Sequence, residues 1–128
     1  MTYEDDKTLA EALKTAREEG RVCALATIVG TRGSTPRKVG ARMLVDPKEG
    51  LTGTIGGGCG EAEVIESAYR VLKTGLAERV RVDLTEDFTT WSPAVCGGVM
   101  DVFVEPVEVQ TGDQEQLSKE SRTRAPNR

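Results

Sequence analysis

The chain has 128 residues, of which 38% are hydrophobic and 30% charged, which suits one globular domain that buries a core without disulfides. Its net charge of −4 argues against a general nucleic-acid surface, and its lack of histidine argues against zinc hydrolases and cysteine–histidine proteases. No apolar run approaches the roughly 20 residues of a membrane span and the N-terminus is too acidic for a signal peptide, so we expect a cytoplasmic protein.

The first half of the chain is predicted to form one helix and three strands. Leu9, Ala12, Leu13 and Ala16 recur at the spacing of a buried helix face. The nearly unbroken apolar run VCALATIVG is typical of a strand buried on both faces. Two shorter strands flank the turn DPKEG and form a hairpin. The predicted elements are a helix over 8–19 and strands over 22–30, 41–45 and 51–55.

A basic loop, TRGSTPRKVG over residues 31–40, separates the first strand from the hairpin. Its glycines and proline indicate a loop, and its three basic residues are unusual in an acidic chain. Ser34, Thr35 and Arg37 can supply hydrogen bonds to a phosphate. A solvated turn with ordinary surface charge would have the same composition, so both interpretations stay open.

A glycine-rich stretch, GGGCG over residues 56–60, precedes a second predicted helix over 61–74. Three consecutive glycines can turn successive N–H groups toward one point and form an anion nest. The helix that follows adds its unpaired N-terminal N–H groups, which favour the thiolate form of Cys59. The alternative is a tight strand-to-helix turn around an inert, buried cysteine.

The second half of the chain is predicted to add two more strands, over 78–84 and 99–104. Within the second helix, Glu66 and Arg70 have the spacing of an ion pair between adjacent turns. The only tryptophan lies in the long loop between the two strands. Beyond Pro106 the chain is polar, so residues 1–106 are expected to form the domain and residues 107–128 a disordered tail.

The cysteines differ in their surroundings. Cys59 and Cys96 are both followed by glycine at a junction between a loop and a regular element, which suggests two thiols at one rim of the sheet. Small core filling is the alternative for each of them. Cys23 lies in the predicted buried strand, and we expect it to be an inert core residue. An odd number of cysteines does not describe a disulfide scaffold.

These elements predict an α/β protein: a single domain with a mixed β-sheet of about five strands and two main helices packed on it. The motifs GSTPRKVGARMLV, GTIGGGCGEAEVIESA, VDLTED and CGGVMDVFVEP follow one another in this order. In this arrangement the chain resembles the N-terminal domain of the XdhC/CoxI family, maturation factors of molybdenum hydroxylases such as xanthine dehydrogenase and carbon monoxide dehydrogenase. The resemblance covers residues 9–106 approximately.

The resemblance implies a cytoplasmic chaperone, rather than an enzyme, that binds molybdenum cofactor as cargo and helps to insert it into an apo-hydroxylase. It implies a homodimer, and a separate Rossmann-domain chain as a possible partner, because members of the family usually continue into such a domain. Cys59 and Cys96 would contact the cofactor, because their thiolates are soft ligands that suit a sulfur-bound molybdenum. The implied cofactor-binding residues are Ser34, Thr35, Arg37, Gly56, Gly57, Gly58, Cys59, Cys96, Gly97 and Gly98.

Three other functions stay open on the residues alone. Cys59 and Cys96 could form a reversible disulfide, although the chain lacks the C-x-x-C motif of many redox proteins. The glycine nest could hold a nucleotide, against which the missing Walker lysine argues. A non-catalytic half-domain that dimerises or holds a partner is the third.

Overall fold

Two helices and five strands form the computed structural model, which describes residues 3–56, 60–85 and 97–107. All seven predicted elements are present, with ends that differ by a few residues. The helices and strands are, in chain order, α1 (Tyr3–Glu18), β1 (Cys23–Arg32), β2 (Arg42–Asp46), β3 (Gly50–Gly53), α2 (Glu61–Thr74), β4 (Glu78–Asp83) and β5 (Val99–Val107).

The five strands form one sheet in the order β3-β2-β1-β5-β4. The prediction of an α/β domain with five strands and two helices is confirmed. All the strand pairings of the described residues are antiparallel, so the sheet is antiparallel and not mixed. The long strands β1 and β5 lie at its centre, and a bulge between Ile28 and Gly30 shifts their register.

β5 runs three residues further than the sequence predicts and includes Pro106. Proline has no N–H to donate and is normally confined to positions where a strand lacks a neighbour. Pro106 pairs with Ala24 of β1 on one side, whereas β4 begins only opposite Val104 on the other. The strand can therefore continue through this proline because its second flank is no longer paired there.

The main core lies between α2 and one face of the sheet. α2 presents Val64, Ala68 and Val71 at helical spacing, and all three are fully buried. Alternate residues of the strands meet them, because successive side chains of a strand point to opposite faces. The sheet side of this core includes Ala24, Ala26, Ile28, Met43, Val45, Val82, Met100, Val102 and Val104.

A smaller core lies on the other face of the sheet, beneath α1. Leu9 and Ala16 of α1 pack with Cys23 and Leu44, and all four are buried. α1 packs against β2 and β3 and reaches only the first residues of β1. Among the described residues no helix covers this face over β4 and β5, so the two faces of the sheet are unequally protected.

Arg70 of α2 does not form the ion pair with Glu66 that the sequence predicts. Its guanidinium donates to both carboxylate oxygens of Glu78, at 2.9–3.2 Å, and not to Glu66. The buried Ser67 hydroxyl also donates to Glu78, at 2.9 Å. Both contacts lower the pKa of Glu78, the arginine more than the serine. The Ser67 hydrogen bond helps to hold the Glu78 carboxylate where Arg70 can donate to both of its oxygens.

Candidate functional site

The motif segments that are described converge at one end of the sheet. The loop of residues 33–37 follows the last residue of β1, Arg32, which pairs with Val99 at the start of β5. Val99 in turn pairs with Asp83, the last residue of β4. We call this end the glycine rim and define it as residues 33–37, 60–61 and 97–98.

Gly98 joins the segment before β5 to the loop after β1. A Cβ atom at Gly98 would lie 2.5 Å from the carbonyl oxygens of both Arg32 and Ser34, closer than real Cβ contacts come. Gly33 lies against the same segment, since its own added Cβ would be 3.2 Å from Gly98 Cα. Two predicted motifs are thus in direct backbone contact, and glycine is required at position 98 for that contact.

Thr35 is buried in this contact. A Cβ atom on Gly98 would come within 2.7 Å of the Thr35 methyl group. The Thr35 hydroxyl donates a 2.8 Å hydrogen bond to the carbonyl oxygen of Arg37. Both ends of the side chain are therefore engaged in shaping the loop, which leaves the predicted contact of Thr35 with a ligand without support from this geometry.

Ser34, Arg37 and Gly97 are exposed at the rim. Arg37 makes no side-chain hydrogen bond or ion pair to another described residue. Of the loop residues predicted to bind a phosphate, the serine and the arginine thus remain accessible to solvent. A guanidinium in that position can donate two parallel hydrogen bonds to an oxyanion.

α2 begins at the same rim without a side-chain cap. Its N-cap is Gly60, which has a φ of 74°, and no side chain within the described part of the chain caps the first turn. An added Cβ at Gly60 would collide with the Val82 side chain and lie 3.4 Å from Leu84. The start of α2 is thereby held against the end of β4. The N–H of Leu84, the residue that follows β4, donates to the Gly98 carbonyl. Glycine permits both the conformation and the approach.

Glu61 is turned toward the end of the hairpin. Its carboxylate accepts a short hydrogen bond from the Thr54 hydroxyl. The same hydroxyl oxygen accepts a 3.2 Å hydrogen bond from the N–H of Gly56, a buried residue. This chain of bonds ties residue 56, on one side of the glycine-rich stretch, to the first residue of α2 on the other. Sequence reasoning missed Thr54, although a threonine two residues before glycine is a common turn signal.

Four of the predicted site residues lie outside the described part of the structure: Gly57, Gly58, Cys59 and Cys96. Their assignment therefore stays a prediction. Within residues 3–56, 60–85 and 97–107, no group of three carboxylates or thiols is placed so that it could hold a metal ion. No helix of the described residues is long and apolar enough to cross a membrane.

Cys23 lies at the opposite end of β1 from the rim and is a free, buried thiol. Burial and, to a smaller degree, the Asp46 carboxylate raise its pKa to about 11. A thiol with that pKa is almost entirely protonated at neutral pH, and the thiolate is the reactive form. The structure thus places Cys23 in the core as predicted and gives a physical reason for its inertness.

An ion-pair network surrounds this end of the sheet, and sequence reasoning did not find it. Arg21 donates to both oxygens of the buried Asp46, at 3.0 and 2.9 Å, and also contacts Glu19. Lys48 donates its backbone N–H to Asp46 at 2.9 Å and its ammonium to Glu19 at 3.2 Å. We call these four residues the ion-pair end. The Arg21 contact is the main reason that the pKa of Asp46 falls to about 2.

Comparison with known proteins gives consistent relatives. The family model of the XdhC and CoxI family matches residues 16–83, just over half of the chain. The chain is 38% identical over 81 residues to the uncharacterized protein YqeB of Escherichia coli K12, covering 63% of this chain and 15% of that protein. It is 33% identical over 102 residues to a protein of Bacillus subtilis 168 named as a probable component of xanthine dehydrogenase, covering 78% of this chain and 30% of that one.

A solved structure agrees with these sequence relatives. The crystal structure of a xanthine dehydrogenase from Bacillus halodurans superimposes with a TM-score of 0.65 at 33% identity, over 78% of this chain and 30% of the other. The chain thus spans less than a third of the length of each of these three proteins. The matched residues include the loop of residues 33–37 and the start of α2, which form most of the glycine rim. On these grounds the chain belongs to the XdhC and CoxI family.

Proposed function

We propose that this chain is a maturation factor for a molybdenum hydroxylase of the xanthine dehydrogenase type, and that it binds molybdenum cofactor as cargo at the glycine rim. Membership of the XdhC and CoxI family and likeness to proteins named for xanthine dehydrogenase support the link to such hydroxylases. In this proposal the chain carries and hands over the cofactor and does not itself turn over a substrate.

The observation that carries the proposal is the backbone contact between Gly98 and the loop of residues 33–35. It brings the segment that follows Cys96 to the loop that contains Ser34 and Arg37. The Leu84 N–H, bonded to Gly98, extends the same contact to the start of α2, which follows Cys59. Segments that are far apart in the chain therefore meet at one end of the sheet, as a shared binding site requires.

The exposed groups of the rim suit a cargo that carries a phosphate at one end and a sulfur-bound metal at the other. Arg37, Ser34 and the uncapped N–H groups at the start of α2 would receive the phosphate. The Glu61 carboxylate would otherwise oppose an anion there, and its hydrogen bond to Thr54 turns it to the hairpin side. Cys59 and Cys96 would supply soft thiolates for the metal end.

The proposal is tested by measuring what the protein carries when it is purified from a host that makes molybdenum cofactor. We expect molybdenum and pterin to copurify with the unaltered chain, and both to be lost from Cys59→Ala and Cys96→Ala variants. The matched control is Cys23→Ala, which removes the buried thiol at the other end of β1 and should retain the cargo. Equal retention by the Cys59→Ala/Cys96→Ala double variant would contradict a role of these thiols.

The phosphate end can be tested separately from the metal end. Arg37→Ala should weaken retention of free pterin phosphate as well as of the complete cofactor, because it removes the exposed guanidinium of the loop. Lys14→Ala on α1, another exposed cation, is the control. If both variants retain the same amount of pterin, the phosphate is not bound by the basic loop.

A further inference from the structure

Two carboxylates lie in the first turn of α2, and neither of them caps it among the described residues. They belong to Glu61 and Glu63, and the N-cap residue, Gly60, has no side chain to offer. The unpaired N–H groups at the start of a helix attract a nearby carboxylate, because the helix dipole is positive there. Glu61 accepts a hydrogen bond from the Thr54 hydroxyl instead. The first carboxylate of α2 is therefore bonded to the segment after β3 and not to its own helix.

The anchor of this carboxylate is held in place by the sheet. Thr54 directly follows Gly53, the last residue of β3, and an added Cβ at Gly53 would lie 2.5 Å from the Arg42 carbonyl oxygen. The Thr54 hydroxyl oxygen also accepts a 3.2 Å hydrogen bond from the Gly56 N–H. A hydroxyl has one proton to donate, and here the proton is donated to Glu61. Close backbone packing on β2 and the Gly56 bond thus fix the position of Thr54.

We propose that Thr54 is a positioning residue of the glycine rim, which keeps the Glu61 carboxylate from occupying the N–H donors at the start of α2. Without the hydroxyl, the carboxylate would turn to these donors, and its charge would oppose a phosphate there. Thr54 acts on the cargo only through Glu61. This inference rests on the proposed function, because it assigns the residue that keeps the phosphate end of that site available.

Glu63 does not have the same relation to the site. Residues two positions apart on a helix do not face each other, so the carboxylates of Glu61 and Glu63 point to different sides of α2. Glu63 is exposed, and it has no hydrogen bond or ion pair within the described ranges. It is a carboxylate of the same helical turn that Thr54 does not restrain, which makes it the matched control for Glu61.

A bridge that only joins α2 to β3 would contain the same hydrogen bonds, but the two roles predict different effects of paired substitutions. If the bridge is purely structural, removing Glu61 in addition to Thr54 leaves α2 as loosely attached as removing Thr54 alone. If Thr54 restrains a competing charge, removing Glu61 restores the binding that is lost with Thr54. Single and double variants therefore separate the two roles.

The test is the binding of pterin monophosphate to the purified chain, measured by isothermal titration calorimetry. Thr54→Val keeps the branched shape of the side chain but removes its hydroxyl. We expect this variant to bind about tenfold more weakly, because the released carboxylate then competes with the phosphate. Thr54→Ser keeps the hydroxyl and should bind as the unaltered chain does. Thr54→Val/Glu61→Ala should regain the affinity of the unaltered chain, since the competing carboxylate is gone.

The controls are Thr52→Val, two residues earlier on β3, and Thr54→Val/Glu63→Ala. The first should bind as the unaltered chain does, and the second should stay as weak as Thr54→Val, with circular dichroism to verify that each variant is folded. Equal binding by Thr54→Val and the unaltered chain would overturn the role of Thr54 and leave the proposed function intact, and so would a Glu61→Ala substitution that restores nothing. An unaltered chain that does not bind the probe would overturn both.

Discussion

The two ends of β1 are held by different physical means. At the ion-pair end, Arg21, Asp46, Glu19 and Lys48 form a network of charged hydrogen bonds around a buried carboxylate. At the glycine rim, about 30 Å away along a strand of ten residues, backbone contacts made possible by Gly60 and Gly98 hold the segments together. The charged side chains of the ion-pair end pair with one another, whereas Arg37 at the glycine rim stays exposed.

This difference separates stability from function. The thiol at the ion-pair end, Cys23, is buried and its pKa is raised to about 11, so it has no evident chemistry. The contacts of the rim are made largely by glycine backbone. The polar side chains of Ser34 and Arg37 are therefore not used in packing and stay accessible to a ligand. Changes at the ion-pair end should therefore alter stability alone, and changes at the rim should alter stability and binding together.

The largest loss of stability is expected from Arg21→Ala. It removes the two hydrogen bonds that the guanidinium donates to the Asp46 carboxylate, which is only 4% exposed. The buried carboxylate then keeps backbone donors such as the Lys48 N–H but loses its counter-charge. Breaking such a pair by removing one partner costs about 4 kcal/mol. Urea unfolding measures the effect, with Lys48→Ala as control because that ammonium is largely exposed and should contribute less than about 1 kcal/mol. Equal losses in the two variants would show that the buried pair is not the stabilising feature.

A somewhat smaller loss is expected from Gly98→Ala. The new methyl group would meet two backbone oxygens at 2.5 Å, and backbone cannot move aside as a side chain can. Forcing a methyl group into packed structure typically costs about 1–3 kcal/mol, and we expect a value near the upper end because two backbone oxygens oppose it. Gly30→Ala is the matched control, because its nearest atoms belong to the Asp101 side chain at 3.4 Å or more. If the two substitutions have the same effect on the unfolding midpoint, the rim is not closely packed.

The smallest of the three stability effects is the acid dependence of the ion-pair end. The pKa of Asp46 falls from 3.8 to about 2 on folding. Because the folded value is the lower one, the stabilisation is complete above about pH 4 and is lost as the pH falls toward 2, by about 2 kcal/mol. Thermal unfolding of the unaltered chain and of Asp46→Asn between pH 5 and pH 2 measures it. A variant with the same acid dependence as the unaltered chain would assign that dependence to other carboxylates.

The sequence was sufficient for the elements whose patterns are local. Leu9, Ala12, Leu13 and Ala16 of α1, and the apolar stripe of α2, have the helical spacing that their burial in the structure confirms. The glycines before and after α2 mark its two ends at residues 60 and 75, and both adopt positive φ. These features depend on neighbours along the chain, which is why they can be predicted.

Features that depend on strand pairing could not be predicted. The register of β1 and β2 decides that Asp46 comes to Arg21, 25 residues away in sequence. The position of Glu78 on β4 decides that Arg70 pairs with it and not with Glu66, its neighbour one helical turn away. The need for glycine at 98 arises because Arg32 and Ser34 lie against it, and only the fold brings them there. In the candidate site, the convergence of segments was inferred from the strand order. The hydrogen bonds of Thr35 to Arg37 and of Thr54 to Glu61 were not predicted.

The central claim is that the glycine rim brings the two motif cysteines together, and a short thiol-specific crosslinker tests it most directly. The reaction is run on the Cys23→Ala variant, whose remaining thiols are Cys59 and Cys96, and the products are identified by peptide mass spectrometry. We predict one intramolecular link between Cys59 and Cys96 in a folded chain, and none after unfolding in urea. A folded chain in which both thiols react with the reagent but are never linked would contradict the claim.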